Sequence, residues 1–274
     1  MKKNKRVGML VDELISNPGR LFESKHFCEK YDIAKSSLSE DIRLANEILQ
    51  ANGSGHIESI SGVGGGIRFL PGINTEQIRE LQMKLIEMLS DKSRMLGGGF
   101  LYTADIMFDG NLVHDMARIF AQKFADRGAD YVVTVETKGI ALAAQTAFML
   151  HLPLVVIRRE ARYSEGSTVS INYFSGSTDR IQKMSIAKRA VKPGTRAIVI
   201  DDFMRGGGSL KGVVDILGEF DIETVGKGVA LGSREPERKK VDDYTPIVIV
   251  EEIDEENRKI TISANEALQA EVHG

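Results

Sequence analysis

The first seventy residues carry apolar side chains at intervals of three and four. This spacing predicts three short amphipathic helices, over residues 5–16, 21–31 and 34–50. Ser37 and Glu40 have the spacing of a capping box, so we expect them to begin the third helix. The sequence therefore opens with a small helical unit whose third helix presents small polar residues in its first turn.

A change of period follows these helices. HIESI (56–60) and IRFL (67–70) read as strands, and SGVGGG lies between them, which predicts a hairpin with a glycine tip. The glycine run is followed by a strand and so lacks the strand-before, helix-after context of a dinucleotide or P-loop site; a turn therefore fits better than a phosphate loop. Three helices followed by such a hairpin predict a winged helix-turn-helix domain over residues 1–72.

Polar and basic side chains mark one face of this domain. The third helix of such a fold enters the major groove by its N-terminal end, where cations meet phosphates and serines contact phosphates or bases. Glu40 and Asp41 oppose DNA unless they face away from it. A winged module that binds a protein partner stays open as an alternative. The residues that we predict to contact DNA are Lys5, Lys35, Ser36, Ser37, Ser39, Arg43, Gly65 and Arg68.

From residue 73 onward the pattern is that of an α/β protein. An amphipathic helix over 75–91 connects the two domains within residues 73–95, and Met83 and Met88 fall on its apolar stripe. Short apolar runs then alternate with helical patterns to the end of the chain, which predicts a mainly parallel sheet covered by helices over 73–274. The expected strands are 131–135, 154–158, 168–174, 196–200, 225–231, 247–251 and 259–262, and the expected helices are 111–127, 139–150 and 209–220.

The stretch RAIVIDDFMRGGGSLKG (196–212) carries the most chemistry. A buried strand delivers Asp201 and Asp202 to its carboxyl end, where open α/β sheets bind ligands. Two carboxylates can accept hydrogen bonds from ribose hydroxyls, and the glycines that follow let the backbone approach a phosphate closely. We expect Ser209 to cap the next helix, whose N-terminal amides favour an anion. The pattern predicts a sugar-phosphate site.

A second strand-loop-helix follows residue 135. Thr137, Lys138 and Gly139 stand where a helix begins, so they predict a second anion site at the same edge of the sheet. An ordinary surface lysine is the alternative for Lys138. Glu136 places a negative charge beside this site, which is expected to weaken binding.

Composition narrows the class of protein. The chain has 274 residues, a net charge of −3, 42% hydrophobic residues and one cysteine, Cys28. DNA affinity must therefore come from a local basic patch, and no disulfide can form within the chain. No apolar run approaches the length of a membrane span, and the N-terminus does not read as a secretory signal, so we expect a cytoplasmic protein. Cys28 is expected to be a small buried apolar side chain.

The acid pair and glycine loop resemble the fingerprint with which type I phosphoribosyltransferases bind 5-phosphoribosyl 1-pyrophosphate (PRPP). Enzymes of this group that act on 6-oxopurines carry a catalytic Asp at the third position after the acid pair, where this chain has Arg205. A cation cannot act as the general base. The resemblance implies a retained pocket without the enzymes' chemistry. The polar segment 159–190, with one strand, corresponds to the mobile hood loop of that fold.

The whole chain resembles the purine-operon repressor (PurR) family of Gram-positive bacteria. The motifs are AKSSLSEDI, TKGI, EGSTVSINYFSGS, RIQKMSIAKR and IDDFMRGGGS. The resemblance implies a homodimer that binds double-stranded DNA upstream of purine genes and is released by PRPP. Some members of the family are activators, and the pocket of the family also accepts ppGpp, with an aromatic side chain stacked on the guanine.

The effector site that this resemblance implies has three parts. The acid pair would hold the ribose, residues 205–209 the 5-phosphate, and residues 137–139 the pyrophosphate. Tyr102 and Phe203 would line the base side, although core packing explains Phe203 equally well. No bound metal is required, although Mg²⁺ can accompany PRPP. An active purine phosphoribosyltransferase with a regulatory domain is the rival function. The implied effector residues are Tyr102, Thr137, Lys138, Gly139, Asp201, Asp202, Phe203, Met204, Arg205, Gly206, Gly207, Gly208 and Ser209.

Overall fold

The computed structural model describes residues 1–160, 166–174 and 181–270. The N-terminal part is a winged helix-turn-helix, as the spacing of its apolar residues predicts. Leu10, Leu14, Phe27, Leu38 and Ala45 fill its core and are essentially inaccessible to solvent. Its elements are α1 (Lys3–Ser16), α2 (Ser24–Tyr31), α3 (Lys35–Ala51), β1 (Gly55–Ile60) and β2 (Gly66–Pro71).

The second helix begins later than predicted. Phe22 lies before α2, and its backbone exchanges two hydrogen bonds with Ile67 at the start of β2 (2.9 and 2.8 Å). This bridge takes Phe22 out of helical geometry and ties the helical part of the domain to the wing. The apolar character of Phe22 suited a helix equally well, so the sequence pattern could not separate the two.

The capping box predicted at Ser37 and Glu40 is wrong. Helix α3 begins at Lys35, its N-cap is Ala34, and no side chain caps it. Glu40 pairs instead with Lys3 of α1 at 3.2 Å. Asp41, only 1% exposed, accepts two hydrogen bonds from the Arg6 guanidinium. The acids at the start of α3 therefore bind α1 and neutralise cations there.

The C-terminal part is a helix-covered α/β domain. It is built from α4 (Thr75–Leu89), β3 (Met95–Gly97), β4 (Phe100–Leu101), α5 (Ala104–Met107), α6 (Gly110–Phe124), β5 (Tyr131–Val135), α7 (Gly139–Leu150), β6 (Leu154–Ile157), β7 (Thr168–Phe174), β8 (Ile181–Ala187), β9 (Arg196–Met204), α8 (Gly208–Gly218), β10 (Glu223–Ser233), β11 (Thr245–Asp254), β12 (Lys259–Ala264) and α9 (Ala267–Ala270). Short 3₁₀ turns cover Lys92–Arg94, Ala125–Arg127 and Lys188–Ala190.

Six strands form the central sheet in the order β12-β11-β10-β9-β5-β6. All neighbouring pairs are parallel except β11 and β12, so the predicted mainly parallel sheet is confirmed. Apolar residues from β9 and β5 lie at its centre, between helices on both faces. Parallel strands share a carboxyl edge, which brings the ends of β5, β6, β9 and β10 together.

Three local predictions in this domain need correction. Strand β9 continues to Met204, so the acid pair lies inside the strand because its ladder with β10 extends that far. The N-cap of α8 is Gly207 (φ 79°), and Ser209 makes no capping bond. The polar segment 159–190 holds two antiparallel strands, β7 and β8, where we expected one. Residues 161–165 and 175–180 of that segment lie outside the described residues.

The connecting helix α4 is capped by a reciprocal pair. The Asn74 side chain accepts from the backbone of Gln77, and the Gln77 side chain accepts from the backbone of Asn74. Met88 packs against the core as expected, but Met83 is 64% exposed, which corrects its placement in the core. Cys28 is only partly buried. None of the helices described here combines the length and apolar composition needed to cross a membrane.

Candidate effector pocket and DNA-binding face

A cavity of about 230 Å³ opens at the carboxyl edge of the sheet. The loop after β5 forms one wall and the end of β9 with its glycine loop forms the other. The residues implied for the effector site line this cavity, with the exceptions of Tyr102 and Gly139. These lining residues are Thr137, Lys138 and every position from Asp201 to Ser209.

The acid pair forms the floor of the cavity. The Oδ1 atom of Asp201 accepts a hydrogen bond from the backbone N–H of Asp202 at 2.9 Å. Burial raises the pKa of Asp201 well above its ordinary value, and the neighbouring Asp202 carboxylate raises it further. A carboxyl held in this way gains from any ligand that brings hydroxyl donors or positive charge to it.

Gly139, the first residue of α7, packs closely against Asp201. A Cβ atom at Gly139 would lie 2.7 Å from Oδ1 of Asp201 and 2.8 Å from Oγ1 of Thr134. Only glycine therefore lets the start of α7 approach the acid pair so closely. Gly139 is buried and outside the cavity lining, so its contribution is to place α7.

The glycine loop after β9 is held by side chains around it. Nη1 of Arg205 donates to the carbonyl of Gly98 at 2.9 Å, and Nζ of Lys239 donates to the carbonyl of Arg205 at 2.7 Å. Burial lowers the pKa of Lys239. Backbone amides at the start of α8, together with Arg205, give this end of the cavity the donors that a phosphate requires.

The loop after β5 supplies the second cation. Nζ of Lys138 lies 3.4 Å from Oγ1 of Thr103, which also lines the cavity.

The negative charge of Glu136, which was expected to weaken anion binding, has partners of its own. One of its oxygens pairs with Arg158 at 3.2 Å and the other accepts from the backbone N–H of Arg159 at 2.8 Å. Its charge is therefore partly offset by Arg158. The peptide bond between Glu136 and Thr137 is cis.

Tyr102 does not line the cavity and is 47% exposed. Its neighbours do so instead, because Phe100 and Leu101 form β4 beside the glycine loop. Sequence reasoning also missed Arg159, which lines the cavity and lies two residues beyond β6. The rule that carboxyl ends of parallel strands converge could have found Arg159, whereas the position of Phe100 depends on the β3–β4 hairpin.

The residues predicted to contact DNA lie on one domain and largely face solvent. Lys5, Lys35, Ser36, Ser39 and Arg43 are exposed, and Ser37 is half-buried. Oγ of Ser39 donates to the carbonyl of Lys35 at 3.0 Å, and Arg43 pairs with Glu47 one turn further along α3 at 2.6 Å. The first turns of α3 therefore present an accessible polar and basic surface.

The wing ends in a slim tip. Gly62 and Gly64 have φ of 105° and 77°, and a Cβ at either one would meet no atom within 4 Å. Val63 between them is fully exposed. Gly65 donates to the carbonyl of Gly62 at 3.1 Å and closes the turn.

At the base of the wing Arg68 pairs with Glu58 across the two strands at 2.5 Å. Arg68 and Glu58 are both half-buried, and so is Gly65 at the tip.

Each of the two domains matches the model of a known protein family. Residues 2–71 match the model of the bacterial purine repressor N-terminal domain, and residues 105–266 match that of the phosphoribosyl transferase domain. Adenine phosphoribosyltransferase from Thermoanaerobacter pseudethanolicus has a similar fold, with a TM-score of 0.51 and 20% identity. The match covers 60% of this chain and 96% of that one, so the likeness shows the fold of the C-terminal domain alone.

Two curated relatives match along nearly the whole chain. The probable purine biosynthesis transcriptional regulator of Streptococcus pneumoniae serotype 4 is 39% identical over 96% of both chains. The purine biosynthesis transcriptional repressor of Bacillus subtilis is 37% identical over 95% of this chain and 92% of its own. The resemblance found in the sequence motifs is thus confirmed, and the chain belongs to the family of bacterial purine-biosynthesis transcriptional regulators.

Proposed function

We propose that this protein is a DNA-binding repressor of purine biosynthesis genes that releases its operator when PRPP occupies the C-terminal pocket. The observation that carries the proposal is the combination, in one chain, of an exposed basic recognition helix with a pocket shaped for a sugar phosphate. Membership of the regulator family supports the binding of DNA. The pocket geometry supports the binding of PRPP as effector.

The pocket offers a partner for each part of PRPP. The acid pair faces the ribose hydroxyls, the glycine loop and Arg205 face the 5-phosphate, and Lys138 with the amides of α7 faces the pyrophosphate. A ligand with two phosphate groups on one sugar would use both loops at once, whereas a single phosphate would use one. Mg²⁺ that enters with PRPP would add positive charge near Asp201, whose ionised form is disfavoured by burial and by the Asp202 carboxylate. A guanine nucleotide such as ppGpp would place its base against Phe100 or Phe203.

The pocket also argues for regulation without turnover. Arg205 occupies the place where 6-oxopurine enzymes carry a catalytic acid, and its guanidinium is engaged with the Gly98 carbonyl. A guanidinium stays protonated and cannot take a proton from a purine. PRPP therefore binds and leaves unchanged.

Binding of the operator requires two copies of the chain. A winged helix reads about one half-site, and regulators of this kind reach specificity by presenting two domains at a fixed spacing. We therefore propose a homodimer.

Fluorescence anisotropy tests the proposal directly. Purified protein is titrated against labelled DNA from upstream of the purine genes of its own organism and against scrambled DNA, at one fixed salt concentration, with and without PRPP. We expect specific binding that PRPP weakens at least tenfold. Specific binding that PRPP strengthens would indicate an activator, and the absence of specific binding would contradict the DNA-binding function.

The rival function is an active purine phosphoribosyltransferase, which the fold of the C-terminal domain favours. An assay of nucleotide formation from PRPP and xanthine, guanine, hypoxanthine or adenine separates the two. We expect no turnover above a protein-free control. Steady turnover that disappears in Asp201→Ala would show that the pocket is catalytic.

A further inference from the structure

The winged helix is attached to the end of the C-terminal domain opposite the pocket. Gly19, just after α1, lies against the end of α7, where a Cβ at Gly19 would meet the Leu150 carbonyl carbon at 2.8 Å and His151 Cβ at 2.9 Å. Helix α7 ends at the amino edge of the sheet, shortly before β6 begins. DNA and effector therefore bind at opposite ends of the domain within one chain, and any influence between them must cross it.

Arg118 of α6 makes several polar contacts at this attachment. Its Nε donates to the carbonyl of Gly72 at 2.8 Å, and its Nη2 lies 2.5 Å from the carbonyls of both Gly53 and Gly72. The same nitrogen lies 3.2 Å from Oε1 of Gln77. These acceptors belong to the turn after α3, the end of β2 and the start of α4, so one guanidinium fixes the base of the wing and the connecting helix together.

This contact is directional. The Arg118 side chain is only 13% exposed, and burial lowers its pKa although Asp115 lies 3.5 Å away. A planar guanidinium that donates to backbone carbonyls in fixed positions tolerates little rotation of the partner domain. Gln122, one turn further along α6, adds a bond of 2.6 Å from the N–H of Ile73 to its Oε1 atom.

Both helices at the attachment are also connected to residues of the pocket. Helix α7 starts at Gly139, packed against Asp201, and its twelve residues span about 18 Å. Helix α6 follows α5 after a short turn, and α5 follows Thr103. The Thr103 hydroxyl accepts a hydrogen bond from Nζ of Lys138 in the pocket. A ligand that draws Lys138 and the start of α7 toward its phosphates therefore acts on the two helices whose other parts hold the winged helix.

From this geometry we infer that Arg118 is the positioning residue that transmits effector occupancy to the orientation of the winged helix. Effector binding shifts α6 and α7, Arg118 carries the shift to Gly53 and Gly72, and the two wings of the dimer leave the spacing that the operator requires. This inference rests on the proposed function. It adds the structural route by which PRPP in the pocket would change the orientation of the winged helix.

The test compares wild type with Arg118→Met, which keeps the length and apolar stem of the side chain but cannot donate. PRPP affinity is measured by calorimetry, and operator affinity by anisotropy with and without saturating PRPP. We expect PRPP affinity to stay within twofold of wild type and operator affinity without PRPP to fall less than tenfold. The PRPP effect on DNA is expected to drop from at least tenfold to less than twofold.

Controls separate this role from general loss of stability. Arg79→Met removes an exposed arginine of α4 that pairs with Glu76 of its own helix, and it should leave all three quantities unchanged. If Arg118→Met does not fold, Arg118→Lys and Gln122→Ala are judged by the same criterion.

Two outcomes distinguish the role of Arg118 from the effector function itself. A variant that loses the guanidinium fork and still responds to PRPP as wild type does would overturn the role of Arg118 alone. Wild-type protein that binds its operator and ignores PRPP would overturn the effector function proposed above, and the route with it.

Discussion

The recognition helix and the effector pocket are both suited to bind phosphate, and they do so by opposite means. The recognition helix offers exposed, flexible cations such as Lys35 and Arg43. The pocket offers glycine backbone, a helix start and a half-buried acid pair held by neighbouring elements. A flexible surface spreads its binding energy over many weak contacts, whereas a preformed pocket concentrates it in a few positions. The two regions should therefore respond differently to single substitutions.

The largest effect is expected in the pocket. Asp201→Ala removes a carboxylate that would accept ribose hydroxyls, and hydrogen bonds to charged groups of this kind contribute about 3 kcal/mol, or roughly 100-fold in affinity. Calorimetry should show this loss for PRPP, while operator affinity stays within twofold and no longer depends on PRPP. Asp215→Ala, an exposed acid of α8 that pairs with Lys211, is the matched control. If Asp201→Ala still releases DNA at the wild-type PRPP concentration, the pocket is misassigned.

A smaller loss is expected at the recognition helix. Lys35→Ala should weaken operator binding by about 1 kcal/mol, roughly fivefold, and reduce the slope of log affinity against log salt by about one. Anisotropy at four salt concentrations measures both quantities. Lys25→Ala, an exposed lysine of α2 that pairs with Glu29, should change neither. Equal effects at the two lysines would show that charge alone matters and that α3 does not enter the groove.

The glycine loop should show an effect on stability as well as on binding. Gly207 has φ of 79°, and a Cβ there would lie 3.1 Å from Val241 Cγ2. Gly207→Ala should cost about 1 kcal/mol, which lowers the Tm by roughly 2–4 °C, and should weaken PRPP binding. Gly218→Ala, at a position with open space and ordinary φ, should lower neither. An unchanged Tm for Gly207→Ala would mean that the loop adapts readily and is not preformed.

The smallest effect has the opposite sign. Because the pKa of Asp201 is raised in the folded protein, its ionisation opposes folding, and this loss of stability develops as pH rises through the folded pKa. Asp201→Asn should raise the Tm of ligand-free protein by about 2–4 °C near neutral pH, corresponding to roughly 1 kcal/mol. The gain should shrink as the pH falls below the ordinary pKa of an aspartate, about 3.9, where the carboxyl becomes protonated in both folded and unfolded chains. A destabilised Asp201→Asn at neutral pH would contradict the unfavourable charge.

Features set by contiguous residues were predictable from the sequence. The winged helix follows from helical spacing and a glycine-tipped hairpin, and the pocket loop follows from one string after β9. Arg159 was within reach of the same reasoning, since it follows a strand as the acid pair does.

Features set by pairs of distant residues were not predictable. Asp41 is turned inward by Arg6, and Glu40 is drawn to Lys3, so their position in the first turns of α3 gave no hint of their partners. The family resemblance implied Tyr102 for the base side, whereas Phe100 lines the cavity, because the β3–β4 hairpin places Phe100 there. Arg118 carries no local signature, because its shortest hydrogen bonds go to the backbone carbonyls of Gly53 and Gly72 in another domain.

The proposed function requires that one chain binds operator and PRPP at coupled sites. Coupling is reciprocal, so the factor by which PRPP weakens operator binding must equal the factor by which operator weakens PRPP binding. Both are measured on the same protein at one salt concentration, the first by anisotropy and the second by calorimetry with and without saturating operator. We predict the same factor, at least tenfold, from both directions. PRPP affinity that is identical for free and operator-bound protein would contradict the coupling between the two sites.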